Sequence, residues 1–301
     1  MSSDTRGMRP SMTRVWLAAA RPRTLSAALA PVGLGAALAI GDGVFHAWSV
    51  IAALVGATLI QIGTNFANDY FDFVKGTDDE SRIGPARATA EGWVSPRGMA
   101  VATVISFVAA AACGAYLVVR GGSAIAVVGA LSIASGILYT GGPKPLGYIG
   151  LGDVFVLVFF GPVAVAGTYW VQARTLSHAA LWLGFATGAL ATAILVVNNL
   201  RDREGDARSS KRTLVVRFGA RFGRFEYAAC FGLAAIATLV VLGAHPERPW
   251  LWIGLGFLVP AVFAVRAIAV TDGPALNPWL GRTAAIQLLH ALLVGIAWCT
   301  A

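Results

Sequence analysis

The sequence predicts an all-α fold, a polytopic membrane bundle of about nine transmembrane helices. The first reason is composition: apolar residues make up 57% of the 301 residues and charged residues only 13%, whereas soluble domains carry roughly 25% charge. The second is the recurrence of long apolar stretches, and the third is the uneven placement of Lys and Arg between them. So few charges could not solvate a water-exposed surface of this size, so we expect most of the surface to face lipid.

Nine stretches are apolar enough, and long enough, to cross a hydrocarbon core of roughly 30 Å. They are residues 24–41, 48–65, 99–119, 121–139, 154–171, 176–200, 227–244, 250–265 and 283–301. Pro31, Pro162 and Pro260 lie inside them, and membrane helices tolerate such prolines as local kinks. No small-residue cleavage site clearly follows the first stretch, so we expect it to be a retained helix.

The basic residues predict the orientation of these spans. With the N-terminus inside, all but three of the 23 Lys and Arg residues fall in inner segments; the exceptions are Arg120, Arg174 and Arg248. Positive residues concentrate on the cytoplasmic side of membrane proteins. We therefore expect a basic cytoplasmic N-terminus over residues 1–23, then a single transmembrane domain over 24–301 in the cell (inner) membrane. The net charge of +8 then needs no nucleic-acid partner to explain it.

Two polar clusters stand out against this apolar background, one at the end of the second span and one at the end of the sixth. Each places its members on one helical face, at spacings i, i+3, i+7 and i, i+4, i+8 respectively. The members are Asn65, Asn68 and Asp72 in the first cluster, and Asn198, Asp202 and Asp206 in the second. Each lies on the second helix of a four-helix half, with the ninth helix left over. The bundle is thus consistent with two parallel halves, although a match this short also arises by chance.

Both clusters lie at helix C-termini on the same, inner, side. Helix C-termini favour cations over carboxylates by roughly 0.3–1 kcal/mol per charge, so acids placed there twice indicate a positive species between them. Carboxylate and amide oxygens suit Mg²⁺, which usually shares its coordination with substrate phosphates. The alternative is that the acids only mark solvated helix ends.

Basic residues surround the two clusters, and they allow two interpretations. One is the positive-inside bias alone. The other is a diphosphate clamp, in which cations neutralise the charge of a leaving group. The residues concerned are Lys75, Arg82, Arg87, Lys144, Arg201, Lys211 and Arg212.

Several motifs together resemble a known family. They are Arg21-Pro-Arg-Thr-Leu25, Asn68-Asp-Tyr-x-Asp72-x-x-x-Gly76-x-Asp78, Arg82-x-Gly-Pro85, and Asn198-Asn-x-Arg-Asp202 followed by Lys211-Arg-Thr213. On about nine helices, these motifs resemble the UbiA superfamily of intramembrane prenyltransferases. They are most similar to its MenA branch, the 1,4-dihydroxy-2-naphthoate polyprenyltransferases of menaquinone biosynthesis. The resemblance extends from residue 21 to about residue 219. One departure is visible: Gly76 stands where the superfamily often has a third acid, and Asp78 or Asp79 are the candidates to replace it.

The resemblance implies roles for individual residues. Its metal ligands would be Asn68, Asp72, Asp78, Asp202 and Asp206, all holding Mg²⁺ on the diphosphate. The supporting and substrate-binding residues would be Asn65, Asp69, Asn198, Arg201, Lys211 and Arg212, with Arg23, Tyr139 and Asp153 near the aromatic acceptor. Asp72, Asp202 and Lys144 would be catalytic.

The implied activity is the Mg²⁺-dependent transfer of a polyprenyl group from polyprenyl diphosphate to an aromatic hydroxy acid, within the lipid bilayer. For 1,4-dihydroxy-2-naphthoate, loss of the carboxylate would accompany alkylation and give demethylmenaquinone. Other acceptors, 4-hydroxybenzoate or homogentisate, are alternatives within the same class. A cation-coupled transporter is the rival from another class, because intramembrane acids also mark ion paths. The acids lie at one face only, which disfavours the transporter.

Overall fold

The computed structural model describes residues 10–77, 84 and 86–300, with Arg23 described by its backbone alone. All the regular structure in these residues is helical. The α-helices are α1 (Met12–Ala20), α2 (Pro22–Gly41), α3 (Ala47–Val74), α4 (Pro96–Gly121), α5 (Ser123–Leu138), α6 (Gly152–Val158), α7 (Ala164–Ala173), α8 (His178–Arg208), α9 (Leu214–Ala244), α10 (Leu258–Ile268) and α11 (Asn277–Cys299). A π-helical segment, Phe159–Val163, joins α6 to α7. Segments of 3₁₀-helix, Pro249–Phe257 and Gly273–Leu276, lead into α10 and α11.

The predicted bundle of membrane-spanning helices is confirmed. Within the described residues, eight helical stretches are long and apolar enough to cross a membrane. The remaining predicted span, 121–139, corresponds to α5, which is apolar but only 16 residues long. We call the end of the bundle that carries Asp72 and Asp202 the acidic end. Alternation of direction along the chain puts α1 at this end as well.

Two helices extend well beyond the predicted spans. The second predicted span ends at residue 65, but α3 continues to Val74; the sixth ends at residue 200, but α8 continues to Arg208. Hydropathy marks only the part of a helix that lipid can surround. In these last turns Asp69, Asp72 and Arg201 are buried against other parts of the protein, so the backbone stays helical where the apolar sequence stops. Both acidic clusters therefore lie within regular helix.

Gly76 explains one departure from the family pattern. It follows α3 directly and has a φ of +65°, a conformation that glycine adopts without the steric cost paid by other residues. An acid at this position would strain the turn that ends α3.

The described part of the predicted basic N-terminus contains a helix. Residues Met12–Ala20 form α1, which packs on α3 through an edge-to-face contact of Trp16 and Phe66 with ring centroids 5.5 Å apart. Arg21 (φ 53°) turns the chain, and Pro22 then begins α2, a position that suits proline because the first helical N–H has no partner. α1 thus covers α3 beside the first cluster.

Glycine allows α8 to lie directly against the kinked span formed by α6, the π-helical segment and α7. A Cβ added to Gly188 would lie 2.2 Å from the carbonyl oxygen of Leu157, and one added to Gly184 would lie 2.6 Å from Cα of Pro162. Gly161, beside the proline, has non-helical dihedral angles. Small residues permit such backbone contact in membrane helices. The contact fixes α8, and with it the second cluster, against a wall of the central cavity.

At the opposite end of the bundle, a network of polar contacts around the Asp42 carboxylate joins several helices. Its carboxylate accepts hydrogen bonds from the Tyr169 hydroxyl at 2.8 Å and from Nε1 of Trp298 at 2.9 Å. Arg248 stacks on the Trp298 ring and lies 3.4 Å from the Asp42 carboxylate. These contacts connect α2, α7, α11 and the segment after α9.

Candidate active site

One cavity of about 1190 Å³ runs through the bundle. Along α3 it is bordered by residues from Asp72 to Ala53, a distance of about 28 Å at 1.5 Å per residue. Its acidic end is polar. Towards the opposite end its walls are apolar and include Val118, Ile125 and Val171. The cavity is therefore a long apolar chamber with a charged mouth.

Both polar clusters border this single cavity. Ten of the residues that the sequence predicts for the site line it: Asn65, Asn68, Asp69, Asp72, Tyr139, Asn198, Arg201, Asp202, Asp206 and Lys211. Residues separated by more than a hundred positions in the chain are thus brought together at the acidic end.

Asp72 is the most enclosed acid of the site, with 1% of its surface exposed. Its Oδ2 accepts a hydrogen bond from Nη2 of Arg87 at 2.7 Å, and its Oδ1 accepts one from the Tyr148 hydroxyl at 2.7 Å. The Lys211 ammonium lies 3.2 Å from Oδ1. A buried carboxylate without partners would cost several kcal/mol, and these three donors offset that cost.

The two asparagines of the first cluster also have partners. The Asn65 amide donates to the backbone oxygen of Ala20 at 2.9 Å and thereby links α3 to the end of α1. Oδ1 of Asn68 accepts a hydrogen bond from the Thr140 hydroxyl at 2.7 Å. Asn68 therefore holds the beginning of the loop between α5 and α6 against the cavity mouth.

Asp69 uses both carboxylate oxygens on backbone groups. Oδ2 accepts the N–H of Ala88 and Oδ1 that of Thr89, each at 3.0 Å. These two residues follow Arg87 directly, so Asp69 anchors the loop that carries Arg87 to Asp72. The contacts give Asp69 a loop-anchoring role within the site.

The second cluster is organised by a buried arginine. Arg201 is 3% exposed and donates to both carboxylate oxygens of Asp202, at 2.7 and 2.6 Å. It also donates to the side-chain oxygens of Asn198 at 2.7 Å and Asn277 at 3.1 Å. Bidentate pairs of this kind fix geometry as well as charge. Asp206, one turn further along α8, borders the cavity without being part of this group.

Three predicted site residues do not border the cavity. Lys144 and Arg212 are exposed on the loops between α5 and α6 and between α8 and α9. Asp153 is buried in the first turn of α6, where that helix packs on α8. Of the two lysines predicted for the site, Lys211 borders the cavity and Lys144 does not. Asp78 and the side chain of Arg23 lie outside the described residues.

Two residues bordering the site were not assigned individual roles from the sequence. Arg87 is 6% exposed; the sequence placed it with the basic residues for which both topology and a diphosphate clamp were open interpretations. Tyr148 borders the cavity with its hydroxyl on Asp72, and no spacing in the sequence distinguishes it. Both reach Asp72 from loops.

The surroundings of Lys75, at the end of α3, shift its pKa. Burial lowers this pKa and the nearby Lys211 ammonium lowers it further, while the Asp72 carboxylate opposes both.

The side-chain oxygen atoms of the site suit a magnesium ion that arrives with a phosphate. Within the described residues, no three His, Cys, Asp or Glu side chains lie close enough to hold a metal by themselves. Mg²⁺ commonly binds one or two carboxylates and completes its shell with water and substrate phosphates. Here α3 contributes Asn68 and Asp72, and α8 contributes Asp202 and Asp206, all bordering one cavity. The hard oxygen donors fit Mg²⁺ in that shared form.

The arrangement is suited to an amphiphilic anion. Arg87, Arg201 and Lys211 border the polar mouth, and apolar helices enclose the remainder. A molecule with a phosphorylated head and a long hydrocarbon tail matches both parts. The enclosed apolar chamber would also keep water from a reactive intermediate.

Comparison with known proteins agrees with this geometry. Residues 28–280 match the UbiA prenyltransferase family. A protein of Mycobacterium tuberculosis named 1,4-dihydroxy-2-naphthoate octaprenyltransferase is 41% identical over 285 residues, which cover 93% of this chain and 94% of that protein. A protein of the same name from Escherichia coli is 40% identical over 294 residues, covering 94% of each.

Solved structures share the fold. A UbiA homolog from Archaeoglobus fulgidus, bound to GPP and Mg²⁺, superposes with a TM-score of 0.68 over 95% of this chain and 99% of that one, at 15% identity. A UbiA homolog from Aeropyrum pernix superposes with a TM-score of 0.65 over 89% of this chain and 96% of that one, at 14% identity.

Proposed function

This chain belongs to the UbiA prenyltransferase family, and we propose that, as an aromatic prenyltransferase of menaquinone biosynthesis, it joins a polyprenyl group to 1,4-dihydroxy-2-naphthoate. The donor is a polyprenyl diphosphate, and the carboxylate of the acceptor is lost as carbon dioxide. The relatives at 36–41% identity that bear this activity in their names support the choice of acceptor.

A single structural observation supports a polyprenyl diphosphate as the substrate that donates the prenyl group. One cavity, about 28 Å long including its mouth, joins a mouth of acids, amides and cations to an apolar chamber. Arg87, Arg201 and Lys211 suit the diphosphate, because cations with hydrogen-bond donors hold phosphate oxygens strongly. The apolar walls suit the isoprenoid tail, since each buried methylene contributes roughly 0.8 kcal/mol.

The acceptor would lie between the mouth and the tail. Tyr139 borders the cavity, and its hydroxyl can donate to an oxygen of the acceptor. The aromatic rings of Phe155 and Phe159 border the same cavity, and they stack on each other with centroids 5.8 Å apart. Rings near an allylic cation stabilise it by roughly 0.5–2 kcal/mol each.

The reaction breaks one bond and forms another. The C–O bond of the allylic diphosphate breaks with its electron pair left on the diphosphate, whose added charge the basic residues of the mouth stabilise. A carbon of the electron-rich ring supplies the pair for the new C–C bond. The carboxylate of the acceptor departs as carbon dioxide, leaving its bonding pair in the ring. The chamber excludes water, which would otherwise intercept the allylic cation.

Mg²⁺ completes the proposal. Asn68 and Asp72 on α3, with Asp202 and Asp206 on α8, would hold it together with the diphosphate. The ion would there act as a Lewis acid that neutralises phosphate charge. We further propose that the acidic end faces the cytoplasm in the inner membrane, because all but three of the 23 Lys and Arg residues fall in segments on that side.

The test is a prenylation assay with an acceptor panel. The protein in lipid nanodiscs receives a polyprenyl diphosphate with 1,4-dihydroxy-2-naphthoate, 4-hydroxybenzoate or homogentisate, in Mg²⁺ or in EDTA. Mass spectrometry identifies products, and carboxyl-labelled naphthoate reports carbon dioxide. We expect prenylated naphthalenediol and labelled carbon dioxide, both dependent on Mg²⁺. Prenylation of only another acceptor would overturn the acceptor assignment, and product formed equally in EDTA would overturn the role of the metal.

Variants connect the assay to the site. Asp72→Asn and Asp202→Asn should lower kcat/KM by roughly 10²-fold or more, the usual effect of removing a group that stabilises developing charge. Glu204→Gln is the matched control, since Glu204 lies between the acids of α8 but its side chain is 76% exposed. Equal losses in all three variants would show that the effect is not specific to the cavity.

A further inference from the structure

Tyr148 is the point at which three separate segments of the mouth meet. It lies in the loop between α5 and α6. Its hydroxyl donates to Oδ1 of Asp72 at 2.7 Å and lies 3.3 Å from the hydroxyl of Thr77, so it contacts both the last turns of α3 and the residues after them. Its backbone oxygen accepts the N–H of Arg212 at 2.8 Å, from the loop between α8 and α9.

The ring of Tyr148 faces two ammonium groups. Nζ of Lys75 is 4.7 Å from the ring centroid and Nζ of Lys211 is 4.9 Å from it. Both distances are within the range of an attractive cation–π contact. Two ammonium groups around one ring repel each other, and the electron-rich ring and the Asp72 carboxylate offset that repulsion.

The two lysines have different second contacts. Lys75 donates to the backbone oxygen of Thr140 and so attaches the start of the same loop to α3. Lys211 borders the cavity and lies 3.2 Å from Asp72. The ring therefore connects an anchoring lysine to one that is available to a ligand.

Only a tyrosine supplies both kinds of contact. The hydroxyl is needed to donate to Asp72, and the aromatic face is needed to attract the ammonium groups. Phenylalanine would keep the second contact and lose the first; leucine would lose both.

We propose that Tyr148 is a positioning residue for the prenyl transfer: it holds the Lys211 ammonium and the Asp72 carboxylate in the arrangement that receives the diphosphate of the donor. The role rests on the proposed function, because it assumes a diphosphate at this mouth. Tyr148 acts through Lys211 and Asp72 and not on the bond that breaks. Its loss should therefore weaken the hold on the diphosphate far more than the hold on the aromatic acceptor.

The experiment measures Tyr148→Phe and Tyr148→Leu in nanodiscs, with Tyr116→Phe and Tyr116→Leu as controls, since Tyr116 is 37% exposed on α4 and does not border the cavity. The readouts are KM for polyprenyl diphosphate, KM for the acceptor, kcat, and the inhibition constant of inorganic diphosphate. We expect KM for the donor and the inhibition constant to rise about fivefold in Tyr148→Phe and about thirtyfold in Tyr148→Leu. KM for the acceptor should change less than twofold, and the Tyr116 variants should match wild type.

A double-mutant cycle separates positioning from general stability. If Tyr148 acts through Lys211, then Lys211→Met should weaken inorganic diphosphate binding in the wild-type background but add little in Tyr148→Leu. Full additivity, or a rise in KM for the acceptor as large as that for the donor, would overturn the role of Tyr148.

The assay also keeps the two proposals apart. A wild-type protein that prenylates the naphthoate and binds inorganic diphosphate, with unchanged constants in both Tyr148 variants, would refute the positioning role alone. A wild-type protein that neither prenylates any acceptor nor binds inorganic diphosphate would refute the proposed function, and the role of Tyr148 with it.

Discussion

Replacing Asp69 by asparagine is the sharpest test of how the mouth is built, because Asp69 lies inside the Asn-Asp motif, yet its hydrogen bonds among the described residues go to a loop. Its two oxygens accept the N–H groups of Ala88 and Thr89, each at 3.0 Å, in a buried setting. Asparagine has the same shape but presents one acceptor and one donor. The NH2 group of the asparagine would face one of the two backbone N–H groups, and that N–H would lose its hydrogen-bond acceptor.

The size of the effect follows from those two bonds. A hydrogen bond to a charged group contributes about 1.5–3 kcal/mol, and an unsatisfied buried donor costs about 1–3 kcal/mol. We therefore expect Asp69→Asn to lower the free energy of unfolding by about 2–4 kcal/mol. Arg87 immediately precedes the released loop, so its contact with Asp72 should loosen and KM for the donor should rise.

The assay pairs stability with metal dependence. Unfolding is followed by tryptophan fluorescence in detergent, and the Mg²⁺ concentration that gives half-maximal activity is measured for the same samples, with the exposed Glu204→Gln as control. Loop anchoring predicts lower stability with an unchanged half-maximal Mg²⁺ concentration. Unchanged stability together with a large rise in the Mg²⁺ requirement would refute the reasoning and make Asp69 a metal ligand.

Three further predictions concern other parts of the molecule. Gly188→Ala should lower the free energy of unfolding by about 1–3 kcal/mol, measured in the same way, because its Cβ would lie 2.2 Å from a carbonyl oxygen; Gly232→Ala, with open space around it, should not. Asp202→Asn should also lower stability, by roughly 3 kcal/mol, because it leaves a buried arginine without its carboxylate; unchanged unfolding would contradict that pairing. The pKa of Lys75 is lowered, so this lysine loses its proton at a lower pH than a lysine with the usual pKa. KM for the prenyl diphosphate should therefore begin to rise at that lower pH, because the neutral amine anchors the loop less strongly. Lys211→Gln removes a charge that lowers this pKa and should move the rise to higher pH; movement to lower pH would reverse the assigned cause.

The spans were predictable from the sequence because lipid imposes a strict requirement on composition. All nine expected stretches are helical where the chain is described, including the kink at Pro162. The last turns of α3 and α8 were not predictable from hydropathy, because the burial of Asp69, Asp72 and Arg201 there depends on contacts with distant segments. α1 was missed for the same reason: Trp16 packs on Phe66, a contact that no single segment reveals.

The acids of the site were predictable and most of their partners were not. Helical spacing places Asn68 with Asp72, and Asp202 with Asp206, on shared faces. By contrast, the contacts of Asp72 with Arg87 and Tyr148 join α3 to two loops, and loop conformation has no periodic signal. The sequence suggested both Lys144 and Lys211 for the site, and only Lys211 of the two borders the cavity, because the sequence of a loop does not show which of its side chains face inwards.

The shape of the cavity has a consequence for the fate of the product. The bond is made at the polar mouth, while the tail already extends along the thickness of the membrane. The finished quinol therefore has its ring at the headgroup level and its chain among hydrocarbon, the orientation of any resident membrane lipid. Release then requires neither inversion of the molecule nor passage of the chain through water, which would cost roughly 0.8 kcal/mol per methylene. A sideways exit is sufficient, and it delivers the product directly to the pool in which it diffuses.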